Sequence, residues 1–241
     1  MAEMVPIEAR RYIPVQISEV TLDWWVIPKR QEVFTAPDGV ESHQEEAGQS
    51  DVLLVAILNE AIERNKKKSH DLDLEDVFYE IEIFATVRAS LDQGIQPVLV
   101  LDMGAGSTKL YLVEHGIVKD SHTINRGSQD ITLSLSSALN VSVSEAEEIK
   151  RTIGLSTAPQ HRQVSEVISA VLGHIFSEAN RVILTFEKRT NTTLSKIVLT
   201  GGGAVLKGFS DAAQVHFKTE TVSAEPFSKV AAPPFLSDIL K

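Results

Sequence analysis

Two glycine-rich turns are the segments of this 241-residue chain best suited to chemistry. The first spans Asp102–Thr108 and the second spans Thr200–Ala204. Each follows a short, mostly apolar run, Val98–Leu101 or Lys196–Thr200, and such runs predict buried strands. Glycine lets a backbone approach a bound group closely. Two turns of this kind suggest a single nucleotide held from two sides.

The first turn is predicted to join two strands. Lys109–Val113 alternates like a strand, and this excludes both the dinucleotide-binding fingerprint and the Walker pattern, because each of these opens a helix. Backbone N–H groups in a hairpin of small residues can meet an anion, and the hydroxyls of Ser107 and Thr108 add donors. Asp102 can orient a water or a hydrated Mg²⁺. The alternative is a tight hairpin that needs glycine only for its dihedral angles.

The second turn holds three consecutive glycines, Gly201–Gly203, and precedes Val205–Phe209, which is predicted to start a helix. Three glycines carry a large entropic cost on folding. They are best explained where a purine ring and a ribose lie flat against the backbone.

A helix between the two turns supplies charged groups. It is predicted over Glu145–Gly154, capped by Ser142 or Ser144 and stopped by its final glycine. Glu147 and Lys150 are three residues apart and share a face. A carboxylate for ribose hydroxyls and a cation near the base or phosphates suit a nucleotide. An exposed ion pair is the alternative.

The order of the three motifs resembles the second half of the actin, sugar-kinase and chaperone ATPase fold. Within that superfamily the chain is similar to the family of the type IV pilus assembly protein PilM, with the cell-division protein FtsA as runner-up. The segments that carry this resemblance are Glu8–Pro14, Glu19–Asp23, Val100–Thr108, Ile124–Gly127 and Ala146–Leu155.

The resemblance implies an α/β protein with the actin-like, ribonuclease H-like fold, formed by a partial first lobe and a second lobe. It implies three regions: an inserted α+β subdomain at 1–70, a first-lobe crossover at 71–96, and a second lobe at 97–241. The first phosphate hairpin of the superfamily is not found before Glu8, and the end at Ala232–Lys241 is abrupt. We therefore expect a fragment or a reduced version that lacks half of the nucleotide cleft.

The resemblance also implies ATP and Mg²⁺ as ligands, weakly held or lost if the first hairpin is absent. The predicted cofactor-binding residues are Asp102, Gly104, Gly106, Ser107, Thr108, Glu147, Lys150, Gly201, Gly202 and Gly203, with Asp102 at the metal. No catalytic residue is assigned, and we expect at most a weak ATPase.

The expected partner is the cytoplasmic tail of a PilN-like inner-membrane protein of the pilus, held in a groove between the inserted subdomain and the first lobe. The implied location is cytoplasmic and peripheral to the inner membrane through partners, and self-association stays open. The alternatives are an FtsA-like division protein and a nucleotide-independent interaction scaffold. A sugar kinase fits less well, because most of the substrate-facing first lobe is missing.

Composition excludes several classes of function. A net charge of −10 argues against nucleic acid as a partner, since phosphate backbones require clustered lysine and arginine. The absence of cysteine excludes disulfides and thiol chemistry. No uninterrupted apolar run reaches the roughly 18 residues of a spanning helix. The basic run Lys66–Lys68 is attributed to a solvated helix end.

The remaining elements follow from local patterns. They are a short helix at Glu3–Tyr12, a strand at Glu19–Ile27, a loop at Lys29–Ser50, a strand at Asp51–Leu58, a helix at Asn59–Lys68, a strand-and-helix crossover at Phe78–Leu91 and a long helix at Gln163–Lys188. Trp24 and Trp25 are expected on opposite faces of their strand. Glu80 and Glu82 alternate with isoleucines and are assigned to a solvated strand face.

Overall fold

The computed structural model describes residues 4–27, 34–35, 41–42, 52–75, 77–92, 94–231 and 233–236. The chain divides into two compact units, Met1–Tyr79 and Glu80–Lys241. The finer partition at 1–70, 71–96 and 97–241 stays a prediction.

The first unit is a small α+β assembly around one antiparallel strand pair. Its elements are α1 (Met4–Ala9), β1 (Val20–Val26), β2 (Phe34–Thr35), β3 (Glu41–Ser42), β4 (Val52–Leu58) and α2 (Asn59–Asp71). β1 pairs with β4, and β2 pairs with β3. Apart from the short strands β2 and β3, the loop predicted at Lys29–Ser50 lies outside the described residues.

Local sequence explains most of the first unit. The alternation of β1 places Trp24 half-buried and leaves Trp25 66% exposed, as expected for neighbours on opposite faces of a strand. α1 ends at Ala9, three residues before the predicted end at Tyr12. Pro14 contributes to this early end, because it disfavours helical dihedral angles at Ile13.

The second unit is a five-stranded sheet with helices on both faces. Its elements are α3 (Glu82–Ser90), β5 (Val98–Met103), β6 (Thr108–Glu114), β7 (Ile117–Ile124), α4 (Ser128–Leu139), α5 (Val143–Ile153), α6 (Arg162–Thr190), β8 (Lys196–Thr200), α7 (Phe209–Phe217) and β9 (Glu220–Ser223). The strand order is β7-β6-β5-β8-β9. β5, β6 and β7 run antiparallel, whereas β8 is parallel to β5 and β9 to β8.

The two faces of β5 bury different sets of side chains because strand residues alternate. Leu99, Leu101 and Met103 belong to the larger core with α4, α5, α6 and α7. Val100 and Tyr111 belong to a smaller cluster that packs against α3. The sheet is therefore covered on both sides in its central part.

Helix α6 is long and apolar enough to cross a membrane by length and composition, with a mean hydropathy of 1.3 over its most apolar 18 residues. Its buried positions, including Val164, Ile168, Leu172 and Ile175, recur at helical spacing and pack into the larger core. Core packing therefore explains the apolar stripe of this helix.

The crossover differs from the prediction. Residues 77–81 form no strand, and Glu82 begins helix α3. An acidic residue in the first turn stabilises a helix, because the backbone dipole is positive at that end. The assignment of Glu80 and Glu82 to a strand face was therefore wrong, since Glu80 lies in the segment before α3 and Glu82 in its first turn.

Candidate functional site

The two glycine-rich turns lie side by side. β5 and β8 are adjacent and parallel, and Asp102 pairs with Thr200 where both strands end. The carboxyl ends of neighbouring parallel strands are a common place for ligands in α/β proteins. The backbone N–H of Gly203 donates to the carbonyl of Met103 at 2.7 Å. Two segments far apart in sequence therefore form one surface.

The first turn is a hairpin, as predicted. The N–H of Gly104 donates to the carbonyl of Ser107 at 2.9 Å, and β6 begins at the next residue. Thr108 is fully buried and its hydroxyl donates to the carbonyl of Arg126 at 2.8 Å. To donate to a ligand, that hydroxyl has to give up this bond. The N–H groups of residues 105–107 donate to no acceptor among the described residues.

Helix α4 begins directly on the hairpin. The N–H groups of Ser128 and Gln129 donate to the carbonyls of Gly104 and Ala105 at 2.9 and 2.8 Å. A Cβ at Gly127 would lie 2.4 Å from the carbonyl oxygen of Ala105. The hairpin carbonyls thus satisfy the first helical N–H groups, and the two elements are fixed to each other.

The three glycines of the second turn have different roles. A Cβ at Gly201, whose φ is +86°, would lie 2.3 Å from Asp102 Oδ1, and one at Gly203 would lie 2.8 Å from the carbonyl oxygen of Met103. Both positions need glycine because the two turns touch. Gly202 is exposed, and a Cβ there would meet nothing within 4 Å. Of the three glycines in this turn, Gly202 is therefore the one whose surroundings leave room for a side chain.

Asp102 is a half-buried carboxylate beside a second acid. Burial raises the pKa of Asp102, the nearby Glu82 raises it further, and Lys109 opposes both. Lys109 in turn forms an ion pair with Glu82. Neither neighbour was predicted: Lys109 pairs with Asp102 across the β5–β6 hairpin, and the packing of α3 on the sheet brings Glu82 to both.

Glu147 and Lys150 form a partly buried network with α4. Lys150 is 8% exposed, and its Nζ donates to Glu147 Oε2 at 2.7 Å, Thr132 Oγ1 at 2.9 Å and the carbonyl of Ser128 at 3.2 Å. The alternative of an exposed ion pair does not hold for Lys150. Thr132, which donates to Glu147 Oε2 at 2.6 Å, carried no signal in the sequence.

The network holds Glu147 in its charged form. Burial on its own raises the pKa of Glu147, but hydrogen bonds from Lys150, Thr132 and Arg151 outweigh it and lower the pKa to about 2. The bond from Arg151 Nε to Glu147 Oε1 measures 2.8 Å. Helix α5 starts at Val143, two residues before the predicted Glu145. Ser142, one of the two predicted caps, accepts from the N–H of Glu145, and Gly154 is the C-cap as predicted.

This pKa predicts a pH dependence of stability. A carboxylate with a depressed folded-state pKa stabilises the protein above its unfolded pKa, and this contribution is lost as the pH falls through the folded pKa. Between about pH 4.5 and pH 2, the stability advantage of wild type over Glu147→Gln is therefore expected to disappear. At neutral pH it is about 1–2 kcal/mol after allowance for a partly solvated side chain.

Urea unfolding of both proteins across this pH range measures the difference. A difference in unfolding free energy that stays constant down to pH 2 would contradict the network.

In the described part of the chain, no group of three or more His, Asp or Glu side chains is placed to hold a metal ion. A metal at Asp102 would therefore need ligands other than a cluster of His, Asp and Glu side chains, such as water.

The sheet order, its helical layers and the two turns at the ends of adjacent strands together define an actin-like fold. A solved structure of MreB5 from Spiroplasma citri, bound to ADP, is similar in fold, with a TM-score of 0.56, 18% identity, and coverage of 70% of this chain and 62% of that one. A structure described as a PilM-PilN type IV pilus biogenesis complex matches with a TM-score of 0.77 and 26% identity, covering 100% of this chain and 67% of that one.

A family model for the type IV pilus assembly protein PilM matches residues 1–236. The chain belongs to this PilM family. The cell division protein FtsA of Streptococcus pneumoniae is a curated relative, 26% identical over 159 residues, which are 57% of this chain and 34% of that protein. The chain spans about a third of the length of the curated relatives it matches. The predicted resemblance and fold class are confirmed.

Proposed function

We propose that this chain is an ATP-binding assembly protein of the type IV pilus inner-membrane platform. The observation that carries the nucleotide part is the direct contact of the two glycine-rich turns, with Gly202 open beside them. The PilM family match supports the pilus assignment.

Most of the predicted binding residues have a proposed role. The N–H groups of residues 105–107 would meet phosphates, and the exposed backbone at Gly202 would face the ribose and the purine. Glu147, about a third exposed, would accept from ribose hydroxyls. Lys150 and Thr108 donate hydrogen bonds to protein carbonyls, so they would hold the binding residues in place without contacting the nucleotide.

Asp102 fits a hydrated Mg²⁺. Its carboxylate lies where burial and Glu82 disfavour negative charge, so a cation nearby would relieve an existing cost. Mg²⁺ usually keeps several waters and takes one or two carboxylates. When bound, the ion would neutralise phosphate charge. We propose no hydrolytic step.

The proposed partner is the cytoplasmic tail of a PilN-like inner-membrane protein, which would place the chain in the cytoplasm at the inner membrane. Support comes from the similarity to the PilM-PilN complex over the whole of this chain. A fluorescent peptide of such a tail should bind with saturation, whereas a scrambled peptide of equal composition should not. Binding of an FtsA partner instead would favour the FtsA-like alternative.

Calorimetric titration of Mg-ATP into the full chain tests the nucleotide site. Wild type is expected to bind at micromolar to low-millimolar Kd. Gly202→Val should weaken binding at least about tenfold, which corresponds to 1.4 kcal/mol, because a branched side chain would cover the open backbone. Gly173→Val in α6 is the matched control, since a Cβ there also meets nothing within 4 Å.

The second candidate is a nucleotide-independent scaffold. Its support is that Gly201, Gly203, Thr108 and Lys150 all have contacts within the protein that account for them. A folded wild-type chain that gives no heat and no thermal shift with Mg-ATP would favour this scaffold. Equal affinity in wild type and Gly202→Val would contradict the proposed binding surface.

A further inference from the structure

Lys150 links two parts of the candidate site. We propose that Lys150 is a positioning residue which, together with Thr132, holds the first turn of α4 on α5 and thereby fixes the hairpin at 104–107. Its effect on ligand affinity rests on the proposed nucleotide binding, whereas its effect on the hairpin does not. A direct contact between Lys150 and a ligand is not part of this role.

The ammonium group has no proton left for a ligand. A lysine side chain has three N–H donors, and the three acceptors around Nζ are Glu147 Oε2, Thr132 Oγ1 and the carbonyl of Ser128. The Lys150 side chain is only 10% exposed. A ligand would have to break one of these bonds and enter a closed contact between two helices.

The link to the hairpin is short and continuous. Ser128 accepts from Lys150 through its carbonyl and donates to the carbonyl of Gly104 through its own N–H. The next residue, Gln129, donates to Ala105. One turn of α4 therefore joins α5 on one side to the hairpin on the other. Release of Lys150 removes the bond that ties Ser128, which holds the hairpin, to α5.

Thr132 allows this idea to be tested without touching a ligand. It is 3% exposed, donates to Glu147 Oε2 and accepts from Lys150. Thr132→Val removes the hydroxyl and keeps the shape, whereas Thr132→Ser keeps the hydroxyl. A change in ligand affinity in Thr132→Val is therefore transmitted through Glu147 or through the hairpin, and hydrogen exchange at the hairpin distinguishes the two.

The first experiment is amide hydrogen exchange on the ligand-free full chain. In Lys150→Met and Thr132→Val, exchange at Gly104, Ser128 and Gln129 is expected to rise about tenfold, because the bonds of these amides open locally. The amides that pair β5 with β8 should not change. Thr132→Ser should behave like wild type. The matched lysine control is Lys207→Met, because exposed Lys207 donates to the carbonyl of Thr152 on α5 at 2.7 Å.

Unchanged exchange at these three amides in a folded variant would overturn the proposal. If Lys150→Met does not fold, the exchange rates in Thr132→Val decide whether the proposal holds. The second experiment is titration of Mg-ATP. If wild type binds, Thr132→Val should weaken binding about tenfold and Thr132→Ser should not, whereas equal affinities would overturn the effect on the ligand. If wild type does not bind, the proposed function fails and the exchange result alone decides the positioning role.

Discussion

Replacing Gly203 with alanine is expected to destabilise the second unit by about 2–4 kcal/mol, as overpacking at a buried contact does. The new Cβ would lie 2.8 Å from the carbonyl oxygen of Met103 and 2.5 Å from its Cγ. The N–H of Gly203 donates to that same carbonyl at 2.7 Å. The methyl group can be accommodated only if the two turns move apart.

Gly202→Ala is the matched control for this substitution. It makes the same chemical change one residue earlier, where a Cβ meets nothing within 4 Å and φ is not left-handed. Its free energy of unfolding should stay within about 0.5 kcal/mol of wild type. Chemical unfolding with urea measures both. Equal losses in the two variants would show that the turns are not packed as described.

Asp102→Asn is expected to stabilise the protein at neutral pH and to impair Mg-ATP binding. A carboxyl group with a raised folded-state pKa costs stability once the pH exceeds its unfolded pKa, because the folded protein then resists its ionisation. Removing the charge removes this cost, and we expect a rise in Tm of about 2–4 °C. The same change should weaken Mg-ATP binding at least about tenfold, or 1.4 kcal/mol.

Asp130→Asn provides a contrast of opposite sign. Asp130 Oδ2 accepts from the N–H of Gly127 at 2.8 Å, at the positive end of helix α4. Loss of this charge should cost about 0.5–1 kcal/mol, since it weakens both the cap and the interaction with the helix dipole. Thermal unfolding at pH 7 measures the change in Tm for both variants, and calorimetric titration measures the loss of Mg-ATP affinity in Asp102→Asn. A decrease in Tm for Asp102→Asn similar to that for Asp130→Asn would contradict the electrostatic argument.

Local pattern was enough to predict much of the second unit. The apolar runs that became β5 and β8, the glycines between β5 and β6, and the Ser142 and Gly154 boundaries of α5 are all short-range signals. They determine dihedral angles and caps through neighbouring residues. For this reason the hairpin, rather than a strand-to-helix turn, was predicted correctly.

Side-chain environments at the site could not be predicted in the same way. The spacing of Glu147 and Lys150 predicts a shared helix face but not whether α4 covers that face. Thr132 and Glu82 take part only because separate elements pack together. The requirement for glycine at Gly203 likewise comes from Met103, which lies about a hundred residues earlier at the end of β5. Such contacts depend on tertiary structure, and local sequence does not encode them.

The parallel pairing of β5 with β8 also has a consequence for how the chain folds. Val98 pairs with Lys196 and Asp102 with Thr200, so the centre of the sheet closes a long loop. Loop closure costs entropy before any of these contacts form, and pairings distant in sequence therefore slow folding. During synthesis the β5–β6 hairpin can form early, but one edge of β5 stays unpaired until β8 has been made. In that interval the apolar edge is exposed to other chains, and aggregation competes with folding.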